Sequence, residues 1–188
     1  MDGESREEVQ GDLELFLKAG ALASNAAINQ DDGGRWDVVG DPTEGALVVA
    51  ALKGHFDPEA SRHRGYRELR EIPFSSAEKR MAVYYRMPGG ENILMVKGAP
   101  KVILAGCTRM LQNGEPVIMD EKGRLSVIAA NDHLARRGFR VLALAYRPVE
   151  SQEEEAYRDL ILAADPNPGG GAGHGNTNCL PVCIKHHR

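Results

Sequence analysis

Apolar positions along the chain alternate between helical and strand spacing, and each change of period marks an element. From Leu13 to Ala27, the residues Leu13, Phe16, Leu17 and Leu22 recur among alanines and predict a helix with one buried face. The segment 41-DPTEGALVVAALKG-54 predicts a complete helix. Asp41 can cap it, Pro42 suits its first position, Glu44 stands third as in a capping box, and Gly54 can close it in a left-handed conformation. A short helix is expected over Ala99–Ala105, and a longer one runs from an Asp120 cap to about Arg137, where Gly138 stops it. Ser151-Gln152-Glu153-Glu154 repeats the capping-box pattern and predicts an acidic helix to about Ala164.

Between these lie strand candidates, the last of them, Arg140–Arg147, mostly apolar. Trp36–Val39 follows the turn signal Asp31-Asp32-Gly33-Gly34, and further strands are expected over Glu68–Ile72, Met81–Met87, Asn92–Val96, Val117–Met119 and Arg140–Arg147. Pro88-Gly89-Gly90 joins the second and third of that later group as a hairpin. Hairpin strands mixed with helices predict an α+β fold, a largely antiparallel β-sheet flanked by helices. Residues 12–165 read as one domain, residues 1–11 as a flexible lead, and the Gly-, Pro- and Asn-rich residues 166–188 as a flexible tail or linker.

Composition narrows the function. The chain has 188 residues, 42% of them hydrophobic, enough for one sizeable core. Its 23 basic and 27 acidic residues give a net charge of −4 without a basic stripe, which argues against nucleic acid as partner. No apolar run reaches the roughly 20 residues that span a bilayer, and the acidic opening MDGESREEVQGD does not read as a signal peptide. Three cysteines, with Cys107 isolated from Cys179 and Cys183, argue for a reducing compartment and against a disulfide framework.

Familiar phosphate signatures are absent: there is no G-x-x-x-x-G-K-[ST], and the tail's glycines follow no strand and do not spell G-x-G-x-x-G. Four other stretches, Asp41–Leu47, Phe74–Met81, Lys97–Pro100 and Arg140–Ala145, each lie at a junction of predicted elements. Between them they hold an aromatic face, a carboxylate, lysines, an arginine and a permissive glycine. A purine nucleotide needs such a set: a ring to stack on the base, an acceptor for its amino group, and cations for its phosphates. Taken singly, Phe74 reads as core, Glu44 as a helix cap, and Lys79, Lys97 and Arg140 as solvated charges. Met81, Val96, Leu142 and Leu144 read as core, and Thr43 with Asp41 as the helix start.

The wording and order of 40-GDPTEGAL-47, 72-IPFSSAEKRM-81, 96-VKGAP-100 and 138-GFRVLALAYR-147 resemble the nucleotide-binding (N) domain of P-type cation-transporting ATPases, most closely the type II branch that includes calcium pumps. The resemblance covers about residues 12–150. It implies that Phe74 stacks on adenine, Glu44 bonds near the adenine amino group, and Lys97 with Gly98 lines the base pocket. It also implies that Lys79 lies near the phosphate chain, that Arg140 helps present the γ-phosphate, and that Ser75 is a lesser contact. ATP, with Mg2+ in the parent enzyme, is the implied ligand. The phosphorylation and actuator domains of a membrane pump are the implied partners, on the cytoplasmic side of the membrane, for a domain that is itself monomeric.

Two departures qualify the implication. Glu78 stands where the family often has a basic residue, and it can pair with Lys79 or Arg80. The family's D-K-T-G-T, T-G-D and G-D-G-x-N-D stretches do not occur in these residues, so ATP binding rather than turnover is the activity expected of them. The alternative is a domain of the same fold that serves protein interaction with little nucleotide affinity. The tail pattern Cys179-x-x-x-Cys183-x-x-His186-His187 offers soft metal ligands, but nothing around it would orient them, and no metal site is expected.

Overall fold

The computed structural model describes residues 4–30, 33–112, 114–163 and 182–184. Five helices are seen among them: α1 (Glu4–Leu22), α2 (Pro42–Lys53), α3 (Pro58–His63), α4 (Pro100–Gly106) and α5 (Glu121–Arg136). Strands β1 (Ala27–Gln30) and β2 (Trp36–Val39) form a separate antiparallel hairpin. The main sheet contains β3 (Arg67–Ser75), β4 (Arg80–Arg86), β5 (Asn92–Gly98), β6 (Cys107–Gln112), β7 (Glu115–Ile118), β8 (Arg140–Val149) and β9 (Leu160–Ala163). Its order is β3-β4-β5-β8-β9-β6-β7, and every neighbouring pair is antiparallel except β6 with β9. The expected α+β architecture, a largely antiparallel sheet flanked by helices, is therefore present.

The central strands are buried on both faces, which explains their nearly continuous apolar sequence. On β4, Ala82 and Tyr84 join Ile103 and Leu104 of α4 and Val127 of α5 in one core, while Met81, Val83 and Tyr85 join Ala19 and Leu22 of α1, Ala51 of α2 and Phe56 in another. Leu94 and Val96 of β5 face the first core and Met95 the second. Met81, Val96 and Leu144 are core as expected, whereas Leu142 is only half-buried. Cys107 is buried with its thiol on the Ile103 carbonyl, and burial pushes its pKa up to about 12, which rules it out as a neutral-pH nucleophile.

Several local expectations give way to tertiary contacts. Helix α1 begins at Glu4, inside the stretch read as a lead, and ends at Leu22 rather than Ala27. Ala27 instead opens β1, and Leu13 is exposed rather than part of the buried face. Helix α2 has the expected Asp41 cap, which accepts from the Thr43 and Glu44 N–H groups, but Gly54 closes it at φ −84° rather than left-handed.

The predicted acidic helix after Ser151 does not form. Its capping contacts do: the Glu154 carboxylate accepts from the N–H groups of Glu150 and Ser151, and Ser151 Oγ accepts from Glu153. Arg147, Arg70 and Tyr84 then hold the loop against the sheet through Glu154, Glu155 and Gln152. Leu160–Ala163, buried throughout, completes the sheet between β8 and β6. The gain from four buried side chains and a strand on each side outweighs the propensity of an isolated helical turn.

Most of the predicted tail, residues 166–181 and 185–188, lies outside the described residues, and with it Cys179, His186 and His187. Within the tail, β10 (Val182–Ile184) pairs antiparallel with Arg140–Leu142 of β8.

Candidate functional site

Strand direction brings the chemistry to one rim. Strands β3, β4, β5 and β8 alternate in direction, with Ser75 opposite Arg80, Arg80 opposite Gly98, and Gly98 opposite Ala143. The end of β3 with Phe74 and Ser75, the start of β4 beside Lys79, the end of β5 with Lys97 and Gly98, and the start of β8 with Arg140 therefore share one end of the sheet. Helix α2 brings Glu44 to the same end.

Glu44 and Lys97 meet directly. Lys97 Nζ donates to Glu44 Oε1 at 2.8 Å and to Ser24 Oγ at 3.0 Å, and the other Glu44 oxygen accepts from Asn25 N at 2.8 Å. Glu44 thus does not close a capping box on Asp41; its carboxylate reaches across to the α1–β1 connection and β5. Lys97 is 5% exposed, contrary to its local reading as a solvated charge. Burial lowers its pKa, and the Glu44 bond opposes that shift most strongly, with Asp41 and Glu71 adding to the opposition.

Phe74 is 55% exposed, so the ring that reads locally as core is instead an open face beside this ion pair's end of the sheet. Lys79, exposed, has φ +55°, a left-handed conformation uncommon for a residue other than glycine. The turn that imposes it is closed by Lys79 N donating to Ser75 O at 2.6 Å and by Ala99 N donating to Lys79 O at 2.9 Å. Ser75 Oγ accepts from Glu78 N at 3.2 Å, which gives that hydroxyl a place in the turn.

Gly98 is required by the same turn. A Cβ there would collide with the Lys79 carbonyl oxygen and lie 2.9 Å from Arg80 Cα. Glu78 pairs with Arg80 at 3.1 Å, and the Arg80 guanidinium stacks 3.8 Å from the centre of the Tyr157 ring. The carboxylate that departs from the family pattern is thereby turned to Arg80. Arg140 is exposed at the head of β8, near Asp41. The Asp41 carboxyl lies below its usual range because the Thr43 and Glu44 hydrogen bonds and the Arg140 charge together outweigh burial.

The arrangement offers a flat ring, a buried ion pair with hydrogen-bonding capacity, and two exposed cations within one rim. Residues 12–167 match the family model described as P-type ATPase, cytoplasmic domain N. The chain belongs to this family. It is 36% identical over 154 residues to the calcium-transporting ATPase of Bacillus subtilis, a match that covers 80% of the chain and 17% of that relative. It is 41% identical over 132 residues to the probable cation-transporting ATPase F of Mycobacterium bovis, covering 70% of the chain and 14% of the relative. Over 135 residues it is 35% identical to the mouse calcium-transporting ATPase type 2C member 2, covering 71% and 14%. The P-type N domain thus spans about a sixth of the length of the pumps it matches, and the resemblance read from its four motifs is borne out. Among the described residues, no helix is long and apolar enough to cross a membrane.

Three residues of the N-domain rim were not found by sequence reasoning. Ser24 and Asn25 hold Lys97 and Glu44, and Glu71 accepts from Asn25 Nδ2 at 3.0 Å. Ser24 and Asn25 sit at the end of a helical pattern and carry no local signal; their role exists only because α1 packs across the sheet.

Proposed function

We propose that this N domain binds ATP at the rim of β3, β4, β5 and β8 and presents its γ-phosphate to an aspartate in the phosphorylation domain of a cation-transporting P-type ATPase. In this reading adenine stacks on Phe74, with Glu44 and Lys97 along its polar edge and Gly98 in the turn behind it. Lys79 and Arg140 neutralise the phosphates, and Ser75 contributes through the turn that aims Lys79. Mg2+ accompanies the nucleotide's phosphates. The domain's part in phosphoryl transfer is positioning and charge neutralisation, the two terms that dominate such reactions.

The observation that carries the reading is the exposure of Phe74 at the same sheet end as the Lys97–Glu44 pair and the Arg140 guanidinium. A large apolar ring left half in water has apolar area still to bury, and a nucleobase is a partner whose flat face would cover it. The donor set fits the ligand's chemistry: acceptor and donor beside the ring for a purine edge, cations farther along for phosphates.

Titration of the chain with ATP, followed by NMR, tests this. Shifts are expected at Glu44, Phe74, Lys79, Lys97, Gly98 and Arg140. No response at millimolar ATP would overturn the reading for this chain and favour a domain of the same fold engaged in protein interaction.

A further inference from the structure

The connection between α1 and β1 carries a hydroxyl in a specific hydrogen-bonding role. Ser24 Oγ donates to the Gly20 carbonyl at 2.7 Å, which commits its single proton and turns its lone pairs toward Lys97 Nζ at 3.0 Å. The Lys97 ammonium has three N–H groups. Among the described residues, one goes to Glu44 Oε1 and one to Ser24 Oγ. With the Cε–Nζ bond, these two contacts occupy three of the four tetrahedral directions of the nitrogen and leave one N–H to point elsewhere. Glu44 alone would hold the nitrogen by one contact, at the end of a long side chain with four rotatable bonds.

We propose that Ser24 is a positioning residue for nucleotide binding, acting through Lys97: it aims the remaining ammonium N–H at an acceptor on the nucleobase. The inference rests on the ATP-binding reading above. It assigns a role to a residue that contacts no ligand, and it makes base affinity depend on a helix end rather than only on the four motif stretches.

The charged groups facing Lys97 are Glu44 of α2, Asp41 at its cap and Glu71 of β3. All three are carboxylates and favour the ammonium, as does the Ser24 acceptor. Replacing Ser24 by alanine removes an acceptor from the charged form, so the Lys97 pKa falls further.

The test compares the full chain with Ser24→Ala and Ser24→Thr. The Lys97 ammonium is titrated by nitrogen NMR, and AMP and ATP affinities are measured from neutral to alkaline pH. Ser24→Ala is expected to weaken AMP and ATP by the same factor, about two- to tenfold, the range of one hydrogen bond. Its alkaline loss of binding should move to lower pH in step with the Lys97 pKa, and Ser24→Thr should restore both. A purely structural role would lower the melting temperature without moving the Lys97 titration, and that result would overturn the proposal. So would unchanged affinity in Ser24→Ala. A parent chain that binds no nucleotide overturns the ATP reading itself, while the Lys97 titration still decides whether Ser24 holds the ammonium.

Discussion

Lys97 and Glu44, on β5 and α2, face each other at 2.8 Å with side chains only 6% and 18% exposed. An ion pair so enclosed is asymmetric in its energetics: forming it gains little over an apolar pair, but removing one partner leaves a charge without water. Glu44→Ala should therefore destabilise the domain by about 2 kcal/mol or more, toward the lower side of the ~3–5 kcal/mol known for fully buried pairs, because Glu44 keeps some solvent. The pH dependence has a definite sign. Burial already holds the Lys97 pKa below its ordinary 10.5, so between the two values the unfolded chain binds more protons. Stability from this group rises with pH across that window, and the Glu44→Ala deficit should be largest near neutrality and shrink as Lys97 loses its proton. Urea unfolding at neutral and alkaline pH measures both; an equal deficit at each would contradict the unpaired-charge account.

The sheet and the motif stretches were legible in the sequence because their signals are local. Apolar runs bounded by turn residues marked β4, β5 and β8, and Asp41-Pro42 marked the start of α2. The Asp57-Pro58 pair that starts α3 is the same local signal: Asp57 accepts from the Glu59 and Ala60 N–H groups as Asp41 does from Thr43 and Glu44. What was illegible depends on partners distant in sequence. Leu160–Ala163 becomes a strand only because β6 and β8 flank it, and the capping-box pattern at Ser151 gave no hint of that. Phe74 could be assigned to a ligand only by resemblance, since no local pattern tells an exposed ring from a buried one. Ser24 and Asn25 join the rim through a fold-level contact that no spacing rule describes.

Phe74 is open in the free domain, so its removal separates binding from stability. Phe74→Ala should cost only about 1 kcal/mol of stability, because the ring is already half in water in the free protein. Adenine-dependent binding should fall by about 1–3 kcal/mol, the range of aromatic–base stacking. Inorganic triphosphate provides the comparison: its weaker binding should be indifferent to the substitution. Calorimetric titration of both ligands against both proteins reads this out, and a Phe74→Ala domain with undiminished ATP affinity would remove the stacking role.

Gly98 has a protein neighbour where its side chain would be. Gly98→Ala drives a methyl into the Lys79 carbonyl and toward Arg80 Cα, both backbone atoms that cannot rotate away. The expected result is a destabilisation of about 1–3 kcal/mol, as for other overpacked sites, with NMR shifts spreading through Ser75–Arg80. Nucleotide affinity should fall as well, through displacement of the turn. A Gly98→Ala domain of normal stability would mean that the β4–β5 junction yields more easily than its geometry indicates.

Lys79 sets stability against binding at one position. Its φ of +55° places an L side chain in the left-handed region, which costs about 1–2 kcal/mol, and the turn bonds to Ser75 O and from Ala99 N hold it there. Lys79→Gly relieves that strain but adds about 0.5–1 kcal/mol of unfolded-state freedom. The domain should come out between unchanged and about 1.5 kcal/mol more stable, an unusual result for removing a large side chain from a structured turn. Binding should respond in the opposite direction. The glycine variant loses the ammonium but keeps the turn, so ATP affinity should drop several-fold, with a shallower salt dependence, while adenosine affinity holds. Equal losses for ATP and adenosine would show that Lys79 acts by shaping the turn under the base and would assign the phosphates to Arg140 alone.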